Sequence, residues 1–290
     1  MENNARISHY LEAALINALP AALRPLPYHW RVSFGGALIS GAIRLLPPLR
    51  RRIANNINLI YPDIPKREKN KLIRKITRHI GRGFIQLFYN KDYYRLLKNV
   101  KIAPDALNEV KAAHAAGKPV IIVSGHFGQW EAIRVMLMRA GMTSAAIYKS
   151  ASNPIFEKHF ANVMSIGGAG LFPVGFRGMR PMLQHLKSGG IVSVLLDQRV
   201  DGGEVLDFLG HPALSSTAMS ALALKTGAIM VPAYGLGLAD GSVEILVEPS
   251  VPHGDPKEMI QQLNNSLSAQ VHAHPEQWYW LHKRWARPDI

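Results

Sequence analysis

The feature that most constrains the fold is an alternation, beginning near residue 100, of short continuous apolar runs and segments with helical spacing of apolar residues. The apolar runs are typical of buried strands, because they lack the polar alternation of a half-exposed sheet. They lie at 120–123, 145–148, 191–196, 229–234 and 243–247. The helical segments lie at 104–117, 129–139, 154–164, 179–187, 215–226 and 257–271. The pattern predicts an α/β fold whose sheet is covered by helices on both faces.

The charge is concentrated in the first third of the chain. Residues 1–100 hold 18 Lys and Arg against 5 Asp and Glu, whereas the rest of the chain holds 16 against 15. The net charge of +14 therefore lies almost wholly in the N-terminal region. Such a region attracts polyanions, and nucleic acid, an anionic membrane surface and an acidic protein all qualify.

Two segments of this basic region have helical character. Residues 66–89 mix apolar residues at helical spacing with basic ones, which predicts one long amphipathic helix with a charged face. Residues 32–49 are apolar but contain Arg44 and Pro47-Pro48, and they fall short of the roughly 20 residues of a full membrane span. Three arginines at 50–52 follow them, as expected of a helix resting on anionic headgroups. Packing against the rest of the protein is the alternative for this segment.

Several chemistries are excluded by what the sequence lacks. Cysteine is absent, which excludes disulfide scaffolds, thiolate metal sites and cysteine nucleophiles. The chain has no G-x-S-x-G elbow, no G-x-x-x-x-G-K-[ST] loop, no G-x-G-x-x-G fingerprint and no H-E-x-x-H helix. His272, His274 and Glu276 lie close in sequence without further ligands nearby, so we expect no metal site there. The basic helix carries few aromatic residues for stacking on bases, which argues against nucleic-acid binding.

The first candidate site is the segment 124–131, which begins where the strand 120–123 ends. Ligands of open α/β sheets bind outside the carboxyl ends of the strands, and the glycines of this segment permit a tight turn there. His126 would lie at the strand tip and Glu131 in the first turn of the next helix. A carboxylate at that position can fix the imidazole tautomer and leave the other nitrogen as a base. The alternative is a capping histidine with Glu131 complementing the helix dipole.

A second polar cluster, Asp197, Gln198 and Arg199, closes the strand 191–196. Polar residues at this end of a sheet can orient a substrate hydroxyl or organise a site. A simple strand-terminating turn accounts for them equally well, and the sequence does not decide between the two.

The segment His126-Phe127-Gly128-Gln129-Trp130-Glu131 resembles the H-x4-[DE] motif of the lysophospholipid and glycerophosphate acyltransferase superfamily, in the form found in bacterial lipid A late acyltransferases. Further blocks match in the same order. They are Asn58-Leu59 with Tyr61-Pro62, Asp197-Gln198, residues 207–213, Thr226-Gly227-Ala228, and residues 275–280 through Lys283-Arg284-Trp285. Together they cover roughly residues 45–288.

This resemblance implies a mixed central sheet flanked by helices, with a basic helical membrane-associated region at 1–98 and an α/β acyltransferase domain at 99–290. It implies an enzyme on the cytoplasmic face of the inner membrane that transfers a fatty acyl chain from acyl carrier protein to a hydroxyl of a lipid A precursor. No cofactor, metal or nucleic acid is expected. The alternatives are another membrane lipid as acceptor and, remotely, a non-enzymatic protein that binds nucleic acid.

The resemblance also assigns roles to residues. His126 becomes the general base, Glu131 its partner, and Asp197 with Gln198 a site-organising pair. The chain departs from the usual pattern at Gln129, where Asn is common.

Four further basic residues complete the candidate substrate-binding set. Lys149 lies where arginine is usual in the family, and Arg199 follows the Asp197-Gln198 pair. Lys283 and Arg284 either lie beside acceptor phosphates or the acidic carrier, or belong to a final segment that packs its rings on the sheet.

Overall fold

The computed structural model describes residues 16–150, 153–165 and 168–285. Residues 16–23 are helical, and Pro275–Gln277 form a 3-10 turn. The longer helices are α1 Tyr28–Leu45, α2 Pro47–Ile60, α3 Lys66–Phe88, α4 Asn90–Leu96, α5 Asn108–Ala115, α6 Glu131–Arg139, α7 Pro154–Met164, α8 Phe176–Lys187, α9 Ala218–Thr226 and α10 Pro256–Ala273. The strands are β1 Val100–Ile102, β2 Val120–Ser124, β3 Ser144–Tyr148, β4 Leu171–Pro173, β5 Ile191–Leu195, β6 Glu204–Phe208, β7 His211–Ser215, β8 Ile229–Gly237 and β9 Val243–Val247.

Seven strands form one mixed sheet in the order β1-β9-β8-β2-β5-β3-β4. All neighbouring strands are parallel except the pair β8 and β9, while β6 and β7 form a separate antiparallel hairpin. The predicted α/β fold with a mixed central sheet is therefore confirmed. Strands β2 and β5 are direct parallel neighbours, with Val123 opposite Val194, so the residues that follow each strand emerge side by side at one edge.

Some elements escaped prediction because tertiary contacts create them. Strands β1 and β4 have three residues each, too few for a periodic signal, and each pairs at an outer edge of the sheet. The hairpin of β6 and β7 mixes charged and apolar residues. Helix α5 begins at Asn108, four residues later than the expected start at Pro104.

The N-terminal helices share a core with the sheet. The single helix expected over 66–89 is confirmed as α3. One buried cluster joins isoleucines of α1, α2 and α3 to aromatic residues of the α/β part. Its members include Ile43, Ile53, Ile57, Ile73, Ile76, Ile80, Phe127, Phe208, Tyr234, Trp278 and Trp280. The segments on the two sides of the expected boundary at 98–99 are thus packed against each other.

Helices α1 and α3 run antiparallel and touch through glycines. A Cβ on Gly81 would lie 2.3 Å from the carbonyl oxygen of Gly36, so the two backbones are in direct contact. Further along the pair, Ser40 Oγ donates a 2.9 Å hydrogen bond to Thr77 Oγ1. The close approach fixes how α1 lies on α3.

The apolar segment 32–49 falls on α1, on a break at Leu46 and on the start of α2, where Pro47 occupies the first turn. Among the described residues no single helix is long and apolar enough to cross a membrane, whereas α1 and α2, bent by 85°, satisfy length and composition together. Helix α1 also exposes Trp30, Phe34 and Leu38 at successive i, i+4 positions.

Replacing Gly81 by Ala is expected to separate α1 from α3. The added methyl has no space against the Gly36 carbonyl, and overpacking of this kind costs about 1–3 kcal/mol. In the same helix, a Cβ at Gly83 meets nothing within 4 Å, so Gly83→Ala should stabilise the protein by about 0.5–1 kcal/mol through helix propensity. Urea unfolding of both variants measures the difference, and equal effects of the two substitutions would contradict the close contact.

Candidate active site

His126 lies in a turn that follows β2 and that requires glycine. Gly128 has φ +58°, and a Cβ there would lie 2.0 Å from the carbonyl oxygen of Gly235 in β8. Only glycine combines that conformation with so close a neighbour. The turn is therefore held tightly against the sheet, with His126 at its start.

The C-terminal segment holds this turn from the other side. Gly128 N–H donates to Gln277 O at 2.9 Å, and Tyr279 N–H donates to His126 O at 2.9 Å. From helix α3, the imidazole of His79 donates through Nε2 to Gly128 O at 3.2 Å. Backbone and side-chain bonds from three directions therefore fix the position of the His126 backbone.

Asp197, which follows β5, is the carboxylate that contacts His126. Its Oδ1 lies 2.8 Å from His126 Nδ1, and its Oδ2 accepts a 2.9 Å hydrogen bond from the His126 backbone N–H. Trp278 Nε1–H donates a further 2.8 Å bond to Oδ2. The Asp197 side chain is completely buried, and its oxygens are directed at N–H donors.

These contacts define the protonation of the pair. Burial alone would raise the pKa of Asp197, but attraction to and hydrogen bonding with His126, aided by His282, hold the pKa well below its usual value. The carboxylate is thus ionised and holds the imidazole proton on Nδ1. Among the described residues, nothing hydrogen-bonds His126 Nε2, and the side chain is 22% exposed. Its basic nitrogen is available to a ligand.

His282 completes this cluster. Its ring lies 4.7 Å from the His126 ring, and its Nε2 is 3.6 Å from Asp197 Oδ2, beyond hydrogen-bond distance. Burial lowers the pKa of His282. The ligand atoms of His126, Asp197 and His282 lie within 4.8 Å of one another, and within the described part of the chain this is the one group close enough to hold a metal ion. Because the Asp197 oxygens already accept bonds from N–H groups, the arrangement fits a hydrogen-bonded relay better than a set of metal ligands.

Glu131 has a different environment from the one expected. Its Oε2 accepts a 2.8 Å bond from the Tyr94 hydroxyl and lies 3.3 Å from Arg134 NH1, and Asn90 contributes a longer bond of 3.4 Å. Glu131 has no hydrogen bond to His126. The carboxylate partner of the imidazole is Asp197, because neighbouring strands bring residues 71 positions apart closer together than a turn brings His126 and Glu131.

The other predicted substrate-binding residues divide into packed and exposed groups. Gln129 Oε1 accepts a 2.9 Å bond from the Tyr93 hydroxyl, which anchors it to α4. Arg199 NH2 lies 2.8 Å from Asp201 Oδ1. Lys149, just after β3, and Gln198 are exposed at the edge of the sheet where His126 and Asp197 emerge.

The C-terminal block is mainly a packed segment. Trp278 and Trp280 are fully buried. Arg284 is also fully buried and donates to Leu214 O and to Ser215 Oγ of β7, so it cannot lie beside an acceptor phosphate as one expectation had it. Lys283 is exposed.

A small space lies behind the turn. Its volume is about 40 Å³, and it is bordered by Trp130, which packs edge-on against the His126 ring, and by Ser124 at the end of β2. The buried pair of Glu131 and Arg134 and the side chain of Ser193 also line it. The remaining walls are apolar side chains of the sheet, α6 and α7, namely Ile122, Ile133, Ala146, Ile147, Met164, Val194 and Leu195.

Two residues of the cluster were not predicted from the sequence. Trp278 and His282 both belong to the block that carried part of the family resemblance, but nothing in that block indicates that it folds back onto the ends of β2 and β5. What locates them is the backbone pairing of Phe127 with Trp278. That pairing is a tertiary contact, which the sequence pattern does not reveal.

Comparisons with known proteins identify the family of the chain. The chain matches the family model for bacterial lipid A biosynthesis acyltransferases over residues 2–287. It is similar to a lipid A biosynthesis acyltransferase of Haemophilus influenzae, with 21% identity over 80% of this chain and 74% of the relative. A lipid A biosynthesis lauroyltransferase of Escherichia coli is 22% identical over 91% of this chain and 88% of its own length. A phosphatidylinositol mannoside acyltransferase of Mycobacterium tuberculosis is 21% identical over 67% of this chain and 63% of its own length.

The α/β fold and the family match together define an α/β acyltransferase. The chain belongs to the bacterial lipid A biosynthesis acyltransferase family, since the family model spans nearly its whole length.

His79 is expected to make the stability of the protein sensitive to acid. Burial lowers the pKa of His79 to about 4, so the folded state favours the neutral imidazole. The resulting contribution to the free energy of unfolding is complete above about pH 6.5 and is lost as the pH falls toward 4. Over that range the free energy of unfolding falls by about 3 kcal/mol. We expect His79→Gln, which keeps a hydrogen-bond donor, to lose less stability than the wild type between neutral pH and about pH 4 in urea unfolding. Exposed His114→Gln is the matched control, and parallel pH profiles of all three proteins would refute the expectation.

Proposed function

We propose that this acyltransferase transfers a fatty acyl chain from acyl carrier protein to a hydroxyl of a lipid A precursor, without an acyl-enzyme intermediate. The observation that carries the proposal is the contact between a buried, ionised Asp197 and His126, whose Nε2 is open to a ligand. Family membership supports acyl transfer as the reaction and a lipid as the substrate.

The proposed step is a direct displacement at the thioester. His126 Nε2 takes the proton of the acceptor hydroxyl as its oxygen attacks the thioester carbonyl carbon. The tetrahedral intermediate then collapses, the carbon–sulfur bond breaks, and the imidazolium returns the proton to the departing thiolate. Asp197 keeps Nδ1 protonated and stabilises the imidazolium that forms in between.

Glu131 enters the proposal as a positioning residue. It begins α6 directly after Trp130, whose ring packs against His126 at a centroid distance of 5.5 Å. Its bonds to Tyr94 and Arg134 tie this helix start to α4 and to the interior. Loss of Glu131 would therefore disturb the wall of the site rather than the tautomer of the imidazole.

Three of the predicted substrate-binding residues are exposed at or near the site. Lys149 and Lys283, together with the polar Gln198, are the exposed predicted residues left to meet the acidic carrier or acceptor phosphates. Gln129 and Arg199 remain in the proposal as groups that border the site.

The proposal includes association with the cytoplasmic face of the inner membrane. Trp30, Phe34 and Leu38 are about half exposed along one stripe of α1, and Leu45 at its end is 83% exposed. An exposed apolar stripe flanked by arginines is typical of a helix that lies in the headgroup layer. Such a position would bring the site to a lipid acceptor.

Asp197→Asn should reduce acyl transfer by about 10²–10⁴-fold. The two N–H donors at Oδ2 would keep the asparagine oxygen, so its amide group would donate to His126 Nδ1. The imidazole proton would then move to Nε2 and block the base. Initial rates with an acyl thioester on acyl carrier protein measure the effect, and His126→Gln, which deletes the base without changing the buried charge, should give a comparable loss.

Glu131→Gln serves as the contrasting variant. It breaks the buried pair with Arg134, so we expect a loss of stability on the order of 3 kcal/mol with a smaller rate loss than in Asp197→Asn. An Asp197→Asn protein with a wild-type circular dichroism spectrum and undiminished turnover would overturn the assignment.

A second acceptor class is supported by the phosphatidylinositol mannoside acyltransferases among the relatives, one of which has the same 21% identity as the Haemophilus protein over a smaller share of the chain. Acceptors of both classes are glycolipids with a charged head, so site chemistry alone does not separate them. Mass spectrometry of membrane lipids after gene deletion separates the two acceptor classes. Loss of one secondary acyl chain from lipid A is the expected result, and unchanged lipid A with an altered phospholipid or other glycolipid would replace the first proposal by the second.

A further inference from the structure

A strongly cationic cleft lies between α1 and the N-terminal half of α3, outside the site described above. Its volume is about 650 Å³. Six of its eight lining residues are basic and one is acidic. The lining residues are Ser40, Arg44, Arg67, Glu68, Lys71, Arg74, Lys75 and Arg78.

The basic side chains of this cleft form no ion pair with any described carboxylate. In the part of the chain that the structure describes, none of the six basic side chains lies within 4.0 Å of a carboxylate oxygen. Like charges held around one concavity repel each other, so the arrangement lowers stability unless an anion binds there. Concentration of positive potential in a cleft is what attracts and holds an anionic ligand.

The cleft is part of the packed helix pair rather than a chance gathering of side chains. The Ser40 to Thr77 hydrogen bond closes the contact between α1 and α3 beside it, and Ser40 is itself one of the lining residues. A second cleft of about 320 Å³ adjoins the first and shares Arg44 and Arg74 with it. It adds Arg50 on α2. An extended ligand with more than one anionic group fits this shape.

The rim of the cleft favours a lipid over other polyanions. Leu45 and Leu46 follow Arg44 directly and are 83% and 51% exposed, so an apolar phase borders the cationic groups. None of the eight lining residues is aromatic, and a groove for single-stranded nucleic acid would need rings on which bases stack. Six cations against one carboxylate suit a dianionic phosphomonoester better than a singly charged phosphodiester.

Helix α3 connects this cleft to the catalytic turn. Arg78 lines the cleft, while the next residue, His79, binds the carbonyl of Gly128 in the turn that carries His126. A headgroup in the cleft would therefore lie on the other side of a single helix from the turn.

We propose that the cleft binds the phosphomonoester headgroup of the membrane lipid that accepts the acyl chain. The inference rests on the proposed function, because it names the acceptor class of the same enzyme. The headgroup phosphates would be held by Lys71, Lys75 and Arg78, with Arg44 and Arg74 reaching a second anionic group.

The test compares two triple variants of the full chain. Lys71→Gln, Lys75→Gln and Arg78→Gln neutralise the cleft, whereas Lys111→Gln, Lys118→Gln and Lys225→Gln remove three exposed, unpaired lysines from the α/β part. Binding is measured by flotation with phosphatidylcholine vesicles that contain either phosphatidic acid or phosphatidylglycerol, adjusted to the same zeta potential. Each protein is also prepared with His126→Ala, so that binding is scored without acyl transfer.

We expect wild type to bind phosphatidic acid vesicles more tightly than matched phosphatidylglycerol vesicles. The cleft variant should lose about fivefold per cation, or about 100-fold in all, together with this preference. The control variant should keep the preference. Inorganic pyrophosphate should raise the melting temperature of wild type and of the control variant but not that of the cleft variant. The unliganded cleft variant should melt no lower than wild type, since repulsion is relieved.

Three results would overturn the inference. One is equal binding by the cleft and control variants, which would reduce the effect to general surface charge. Another is stabilisation by pyrophosphate without any preference for phosphatidic acid vesicles, which would make the ligand a soluble phosphate. The third is tighter binding of a single-stranded oligonucleotide than of phosphatidic acid vesicles at the same salt concentration. Failure of the proposed catalytic function appears separately, as absent acyl transfer in a protein whose vesicle binding is intact.

Discussion

A buried negative charge on Asp197 organises the catalytic half of the molecule. An isolated carboxylate in the interior would be strongly unfavourable, so the charge persists only because His126, its backbone N–H and Trp278 all donate to it. Those donors come from the turn after β2 and from the C-terminal segment. The need to satisfy one anion thus holds three distant parts of the sequence in register and leaves Nε2 of the imidazole open to a ligand.

The sequence predicted where the chemistry lies better than which residues share it. His126 and Asp197 were both located at strand ends, because continuous apolar runs mark buried strands and polar residues mark where they stop. Their contact could not be predicted, since it depends on β2 and β5 being neighbours while β3, which lies between them in sequence, is on the far side of β5. Glu131 was paired with His126 on sequence proximity, and its bonds to Tyr94 and Arg134 depend on helix packing that no periodicity records.

Charge and packing in the N-terminal region were predictable to different degrees. Counting basic residues located the cationic region, and the period of apolar residues predicted the helix over 66–89. The contact of Gly36 with Gly81 was not predictable, as a small residue in a helix is equally compatible with exposure. That contact decides which basic side chains meet around one cleft, so it converts a charged region into a defined surface.

Helix α3 brings the two surfaces together through its period. Successive residues of a helix differ by about 100° in direction, so adjacent positions can serve different neighbours. Ile76 and Ile80 enter the shared core, His79 donates to the catalytic turn, and Arg78 lines the cationic cleft. Any tilt or rotation of α3 on its core would therefore move the carbonyl of Gly128 and the cleft at the same time. One helix thus sets the geometry between the cationic cleft and the turn that carries His126.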